Sequence, residues 1–289
     1  MIELVIESRS KDLGGGLEVG RVLPFVRRWM IGPFVFLDHM GPADFKVGEG
    51  VDVRPHPHIG LSTVTYLFDG QIHHRDNLGV SQVIRPGEVN WMTAGSGIVH
   101  SERTDPSLRS TGQLMHGMQA WVAMPEAYEE VAPSFVHYEA DAMNDGAERG
   151  LWLRLIAGSA YGVTSGVHAY SPLFYVHAEL TPGAKLPMPA GFAERAAYVV
   201  AGEVEHEGVR YQPGRMLVFA AGGEPVVEAV DGPARLMLLG GDNIGERFIW
   251  WNFVSSRQER IEQAKADWAA GRMALPAEDA GEFIPLPVT

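Results

Sequence analysis

A chain of 289 residues holds one large domain or two ordinary ones, and a 46% hydrophobic content is enough for a proper core. Its 23 basic and 36 acidic residues leave a net charge of −13 with no basic run, which argues against binding a nucleic-acid backbone. Cysteine is absent, which excludes disulfides, thiolate nucleophiles and cysteine-ligated metals and suits the cytoplasm. No apolar run approaches the roughly 18 residues of a membrane helix.

The chain opens with Met1-Ile2-Glu3-Leu4-Val5-Ile6-Glu7, an alternation that predicts a strand and not a signal peptide. Abundant glycine and proline predict many turns, the first at Gly14-Gly15-Gly16. Phe34, Phe36 and Leu37 read as core or pocket wall, and His39 as a hydrogen-bonding loop residue.

The richest stretch opens with Arg54-Pro55-His56-Pro57-His58-Ile59-Gly60 and closes with Gly97-Ile98-Val99-His100-Ser101-Glu102. In a strand, residues i and i+2 share a face. His56 and His58 can therefore aim at one point, and so can His100 and Glu102. A lone His-x-His is usually a surface or core pair, but two such pairs in one strand-rich stretch are much rarer by chance. Three imidazoles and a carboxylate suit Fe, Mn, Ni, Cu, Co or Zn, and suit Ca or Mg poorly. Between them, Thr63-Val64-Thr65-Tyr66-Leu67-Phe68 predicts a strand, Asp69-Gly70 a hairpin turn, and Gln71-Ile72-His73-His74-Arg75 the return strand. His73 and His74 point to opposite faces, and partly exposed strand positions are the favoured reading for both. Pro86-Gly87 marks a further turn before Val89-Asn90-Trp91-Met92.

The run from Pro55 to Gly79, then Pro86 to Glu102, resembles the pirin family of the cupin superfamily, with echoes at Gly32-Pro33-Phe34-Val35-Phe36-Leu37-Asp38 and His116-Gly117-Met118-Gln119. The resemblance implies metal ligands at His56, His58, His100 and Glu102. Thr63 stands where the general cupin pattern has a glutamate, so the carboxylate comes from Glu102, as the pirin pattern expects. The resemblance also implies one divalent transition metal, Fe(II) first, and quercetin 2,3-dioxygenase activity: cleavage of a flavonol with O₂ and release of carbon monoxide. Glu102 would accept the flavonol hydroxyl proton if it shifts off the metal, and Phe34, Phe36, Met92 and Gln119 would line the substrate pocket. The competing reading is a redox-sensing regulatory protein that contacts a transcription factor or metabolic enzyme.

Residues 103–150 form a connection holding a strand from Met115 to Met124 and extended chain at Phe135 to Tyr138. Beyond it the sequence repeats itself. Leu186-Pro187-Met188-Pro189-Ala190 echoes Arg54-Pro55-His56-Pro57-His58, and Tyr198-Val199-Val200-Ala201-Gly202 follows Tyr66-Leu67-Phe68-Asp69-Gly70 at the same offset. Pro213-Gly214 then arrives slightly early, so the second hairpin is shorter. The four ligand positions become Met188, Ala190, Val227 and Ala229, which predicts a second barrel without this metal site. Near the end, Ser256-x-x-Glu259 predicts a capping box, Ile261, Ala264 and Trp268 share one helical face, and Gly271 ends the helix. The expected architecture is all-β: a bicupin of two β-barrel (jelly-roll) domains, 1–145 with the metal and 146–289 without it, closed by a short C-terminal helix.

Overall fold

The computed structural model describes residues 1–13 and 17–288. Gly14-Gly15-Gly16, read as a turn, lies outside them. The all-β expectation holds: 55% of the chain is strand and 8% helix. Among the described residues, no helix is long and apolar enough to cross a membrane.

The compact units are not two sequential halves. One comprises Met1–Arg9, Gly20–Leu37 and Asp141–Ile244; the other comprises Ser10–Val19, Asp38–Ala140 and Gly245–Thr289. The compact units therefore interleave across the expected 145/146 boundary, and the reason is strand pairing and apolar burial. An edge strand needs a partner for its free backbone groups. Ile2–Glu7 finds it on Arg215–Phe219, far away in the sequence, and buries Ile6 there.

In the first unit a single large sheet runs, in order, Ile2–Glu7, Arg215–Phe219, Glu194–His206, Val226–Gly241, Leu173–Leu180, Leu151–Ala160 and Asn144–Glu148. Leu155, Val176, Leu186, Val199, Leu217 and Leu236 belong to its core. Three of the degenerate ligand positions, Met188, Val227 and Ala229, are buried in that same core, while Ala190 is exposed. Apolar packing occupies the places where the first repeat carries its candidate ligands.

The second unit has two main sheets. One is four-stranded, in the order Asp52–His58, Ile98–Arg103, Ile72–Asp76 and Ser81–Ile84. The other runs Ser134–Tyr138, Val89–Thr93, Leu61–Asp69 and Gln113–Ala123 before reaching Phe34–Phe45, of which 38–45 belong to this unit. Asp69-Gly70 does turn the chain, with Gly70 at φ +83°. It is not a hairpin, however. Leu61–Asp69 pairs on both sides with Val89–Thr93 and Gln113–Ala123, so Ile72–Asp76 crosses to the four-stranded sheet and pairs with Ile98–Arg103.

The terminal helix forms at Gln258–Ala269 and buries Ile261, Ala264 and Trp268 against Ile59, Val99 and Phe253. Its capping box does not form. Arg257 is the cap residue and makes no side-chain cap bond, because Ser256 donates its hydroxyl to Glu129 instead, at 3.0 Å. Gly271, at φ +66°, follows the helix end as expected. The tail then returns to the ligand-bearing sheet: Ile284 N–H donates to the Pro55 carbonyl at 2.8 Å, and Arg103 pairs with Asp279 at 2.6 Å.

Gly60, beside the ligand strand, has φ +67°, and a Cβ there would lie 2.0 Å from the Val254 carbonyl oxygen. Gly60→Ala is therefore expected to destabilise the protein by at least about 1–3 kcal/mol, the usual cost of forcing a side chain into this conformation. A lowered denaturation midpoint relative to the parent checks this.

Candidate metal centre

Strand alternation puts His56 and His58 on one face of Asp52–His58, and the antiparallel register sets His100 directly across from His56. The imidazole centroids lie 5.0 Å (56–58), 4.4 Å (56–100) and 5.1 Å (58–100) apart. Their ligand nitrogens all lie within 4.8 Å of one another. The three rings are only 6%, 1% and 1% exposed.

Burial disfavours the charged imidazolium. It lowers His56 to about 4, with the Arg54 carbonyl partly opposing the shift. Burial, followed by the neighbouring imidazoles, holds His58 and His100 well below their ordinary value. All three are thus neutral near pH 7, with one ring nitrogen protonated and the other carrying a lone pair. His56 Nδ1 donates to the Arg54 carbonyl at 2.9 Å, and His58 Nδ1 to the Asn252 carbonyl at 3.2 Å. Each therefore keeps Nε2 as the lone-pair nitrogen. His100 Nδ1 lies 3.3 Å from His74 Nδ1, while its Nε2 is buried without a hydrogen-bond partner. A buried polar atom without a partner is costly, and coordination would satisfy it. Three neutral imidazoles converging in a buried place, at least two with Nε2 as the lone-pair nitrogen, fit a transition-metal ion.

Glu102 stands two residues along the strand from His100, beyond a bulge in the pairing with Asp52–His58. It is partly buried and lies outside the three-imidazole cluster. Its carboxyl is 3.5 Å from the Thr65 hydroxyl, which also lies 2.9 Å from Gln119 Oε1. Burial pushes Glu102 up to about 7, with the Thr65 hydrogen bond pulling weakly the other way.

The facing sheet supplies the other wall. Met92 and Trp121 both stand opposite Thr63 in register, and Gln119 stands opposite Thr65. Trp121 meets the His58 ring edge-on at 5.0 Å. The sequence reading missed Trp121, although its alternation with Gln119 signals a shared face. Phe34 and Phe36, at the start of the strand Phe34–Phe45, are counted with the other compact unit. There Phe34 packs on Tyr175 at 5.5 Å and Phe36 lies under the Arg21 guanidinium at 4.6 Å.

His73 and His74 point to opposite faces as expected, but only His73 is the outward strand residue anticipated for both. His74 is buried, stacks on Phe135 with centroids 4.4 Å apart, and reaches His100. His39 lies on a strand, with Nε2 2.8 Å from His116 Nε2. A second group, Glu88, His137 and Glu139, also gathers in this unit, with Glu139 largely exposed.

Comparison with known proteins places the chain in a family and a fold. The pirin family model matches residues 16–122, and that of the pirin C-terminal cupin domain matches residues 175–274. A pirin-like protein of Caulobacter vibrioides is 59% identical, covering 99% of this chain and 100% of its own length. A crystal structure of quercetin 2,3-dioxygenase from Acinetobacter baumannii superposes with a TM-score of 0.91 at 33% identity, covering 99% of this chain and 95% of that one. A second structure of that name and organism has a TM-score of 0.87 at 27% identity, covering 95% and 98%. The chain is thus similar to bicupin proteins along nearly its whole length.

Proposed function

This chain belongs to the pirin family, and on that footing we propose that it is a metal-dependent dioxygenase that cleaves flavonols such as quercetin with O₂ and releases carbon monoxide. The observation that carries the reading is the convergence of three buried, neutral imidazoles, with Glu102 two residues along the strand from one of them. The quercetin 2,3-dioxygenase name of the similar Acinetobacter baumannii structures supports the substrate class.

His56, His58 and His100 would hold the ion through Nε2, with Glu102 as fourth ligand. A divalent transition metal, Fe(II) in our assignment, would supply the acidity and the redox capacity that a flavonol and O₂ need to react. The chain's own residues handle the rest. Glu102, pushed up to about 7 by burial in the metal-free protein, would take the flavonol hydroxyl proton if it shifts off the metal. Thr65, whose hydroxyl donates to Gln119 Oε1 at 2.9 Å, stands 3.5 Å from that carboxyl. Trp121, edge-on to the His58 ring, and Met92, opposite Thr63, would offer the substrate an apolar wall. The overall conversion consumes one flavonol and one O₂, and one carbon of the central ring leaves as carbon monoxide.

Flavonol loss with matching O₂ uptake by the metal-loaded protein tests the reading. No uptake with several flavonols, together with capture of a stable protein partner, would replace it with the regulatory one.

The ligand role of Glu102 has its own pH signature. A carboxyl with a value near 7 must lose its proton to coordinate, so binding competes with protonation below that pH. Affinity in the parent is expected to fall by up to about tenfold per pH unit from 7 toward 5. His56, lowered to about 4, adds little in that window. Glu102→Gln should have a nearly flat profile there. Chelator competition across pH reads both, and parallel profiles would remove Glu102 from the ligand set.

A further inference from the structure

His74 plays no part in the reaction described above, yet it is 4% exposed and lies against a ligand. Behind it stands Asp76, 2% exposed, with Oδ2 3.0 Å from His74 Nε2. Asp76 is itself anchored. Its Oδ1 accepts the Leu78 N–H at 2.9 Å and the Val80 N–H at 3.1 Å. The three side chains come from neighbouring strands, in which His100 pairs with Asp76 and Glu102 with His74.

The chain His100–His74–Asp76 has a direction. The carboxylate only accepts, so His74 must present N–H at Nε2. In a neutral ring, His74 Nδ1 then carries the lone pair and accepts from His100 Nδ1–H. His100 is left with its lone pair on Nε2, the buried atom that has no protein partner. We propose that His74 and Asp76 form a tautomer relay that keeps the His100 proton on Nδ1 and so frees Nε2 for the metal. His56 and His58 need no such device, because backbone carbonyls take their Nδ1 protons directly. His100 has no carbonyl in that role, and Asp76 acts through His74 as a positioning residue. The inference rests on the proposed reading of His100 as a metal ligand.

The decisive substitution is Asp76→Asn, which keeps shape and reverses polarity. The two backbone N–H donors hold the amide oxygen where Oδ1 was. The amide NH₂ therefore replaces Oδ2 and donates to His74 Nε2. His74 then carries its proton on Nδ1 and gives it to His100 Nδ1, which forces the His100 proton onto Nε2. An amide in place of an orienting carboxylate is known to select the wrong histidine tautomer in this way.

Two measurements read the relay in the folded, full-length protein. Nitrogen-15 NMR of the metal-free protein should show His100 protonated on Nδ1 in the parent and on Nε2 in Asp76→Asn. Co(II) affinity, measured by chelator competition, should fall about 10–100-fold in Asp76→Asn, the usual loss for a residue that orients a ligand. Adding His74→Leu to Asp76→Asn removes the misdirected donor, so the double variant should bind Co(II) more tightly than Asp76→Asn alone. A merely structural role would make the second substitution worse. An unchanged tautomer in Asp76→Asn, or a double variant that binds no better, overturns the relay and leaves the ligand set untouched. An inverted tautomer with unchanged Co(II) affinity overturns it differently, by removing His100 from the ligands.

Discussion

Replacing His100 by alanine is expected to lower metal affinity by more than about 100-fold, since losing even a residue that only orients a ligand costs about 10–100-fold. The centre has three imidazoles, and nothing around His100 can replace one. Its neighbour His74 points Nδ1 at the ring it would have to succeed and spends Nε2 on Asp76. Val99 and Ile98, adjacent in the strand, are apolar and buried. His56→Ala should behave alike, because its ring faces His100 at 4.4 Å and shares the same point of convergence. The measurement is metal content per chain after gentle purification, with a thermal melt to show that each variant is folded. The parent should bind one ion at this centre, and none should bind at Met188 and Val227, which are core side chains in the other unit. Unchanged metal content in both alanine variants would remove the proposed centre, and an ion around Met188 would show that the repeat had been misread.

Glu102→Gln is expected to lose about 10²–10⁴-fold in flavonol turnover per bound metal, the range a positioned general base contributes. The substitution keeps the side chain's volume and an oxygen that can still face the ion and the Thr65 hydroxyl. It removes the one property that suits Glu102 to proton transfer, a carboxyl held near 7 by burial. Normalising to metal content separates two roles. A base lost with metal retained gives a low rate per ion. A ligand lost without a catalytic role gives low occupancy but a parental rate per ion, and that outcome would restrict Glu102 to coordination.

The three-imidazole cluster was legible because it rests on a local rule. A strand repeats its facing every two residues, so His56-x-His58 and His100-x-Glu102 each declare a shared face without any knowledge of their neighbours. The degenerate repeat was legible for the same reason, since turns and ligand positions recur in order along the chain. The helix, too, followed from its spacing, because Ile261, Ala264 and Trp268 are local in sequence. Its expected cap was not realised, because Glu129, more than a hundred residues away, competes for the Ser256 hydroxyl.

What the tertiary structure alone decided is which strand meets which. Asp69-Gly70 specifies a change of direction, but the sheet that receives the next strand depends on the pairing sites already taken by Val89–Thr93 and Gln113–Ala123. That crossing carries His74 to His100, so the same two-residue alternation that left His73 and His74 equivalent in the sequence makes one a surface group and the other part of the centre. Likewise Asn252, from the returning C-terminal segment, orients His58 through a backbone carbonyl, which any residue type supplies and no motif can announce. The sequence by itself determined the three-histidine cluster, the apolar residues at the corresponding places in the repeat and the β-rich class, because these follow from short-range periodicity. Strand partners, tautomers and the exchange of Ile2–Glu7 into the later unit were decided only in three dimensions, because hydrogen bonds and apolar burial join residues by proximity and not by order in the chain.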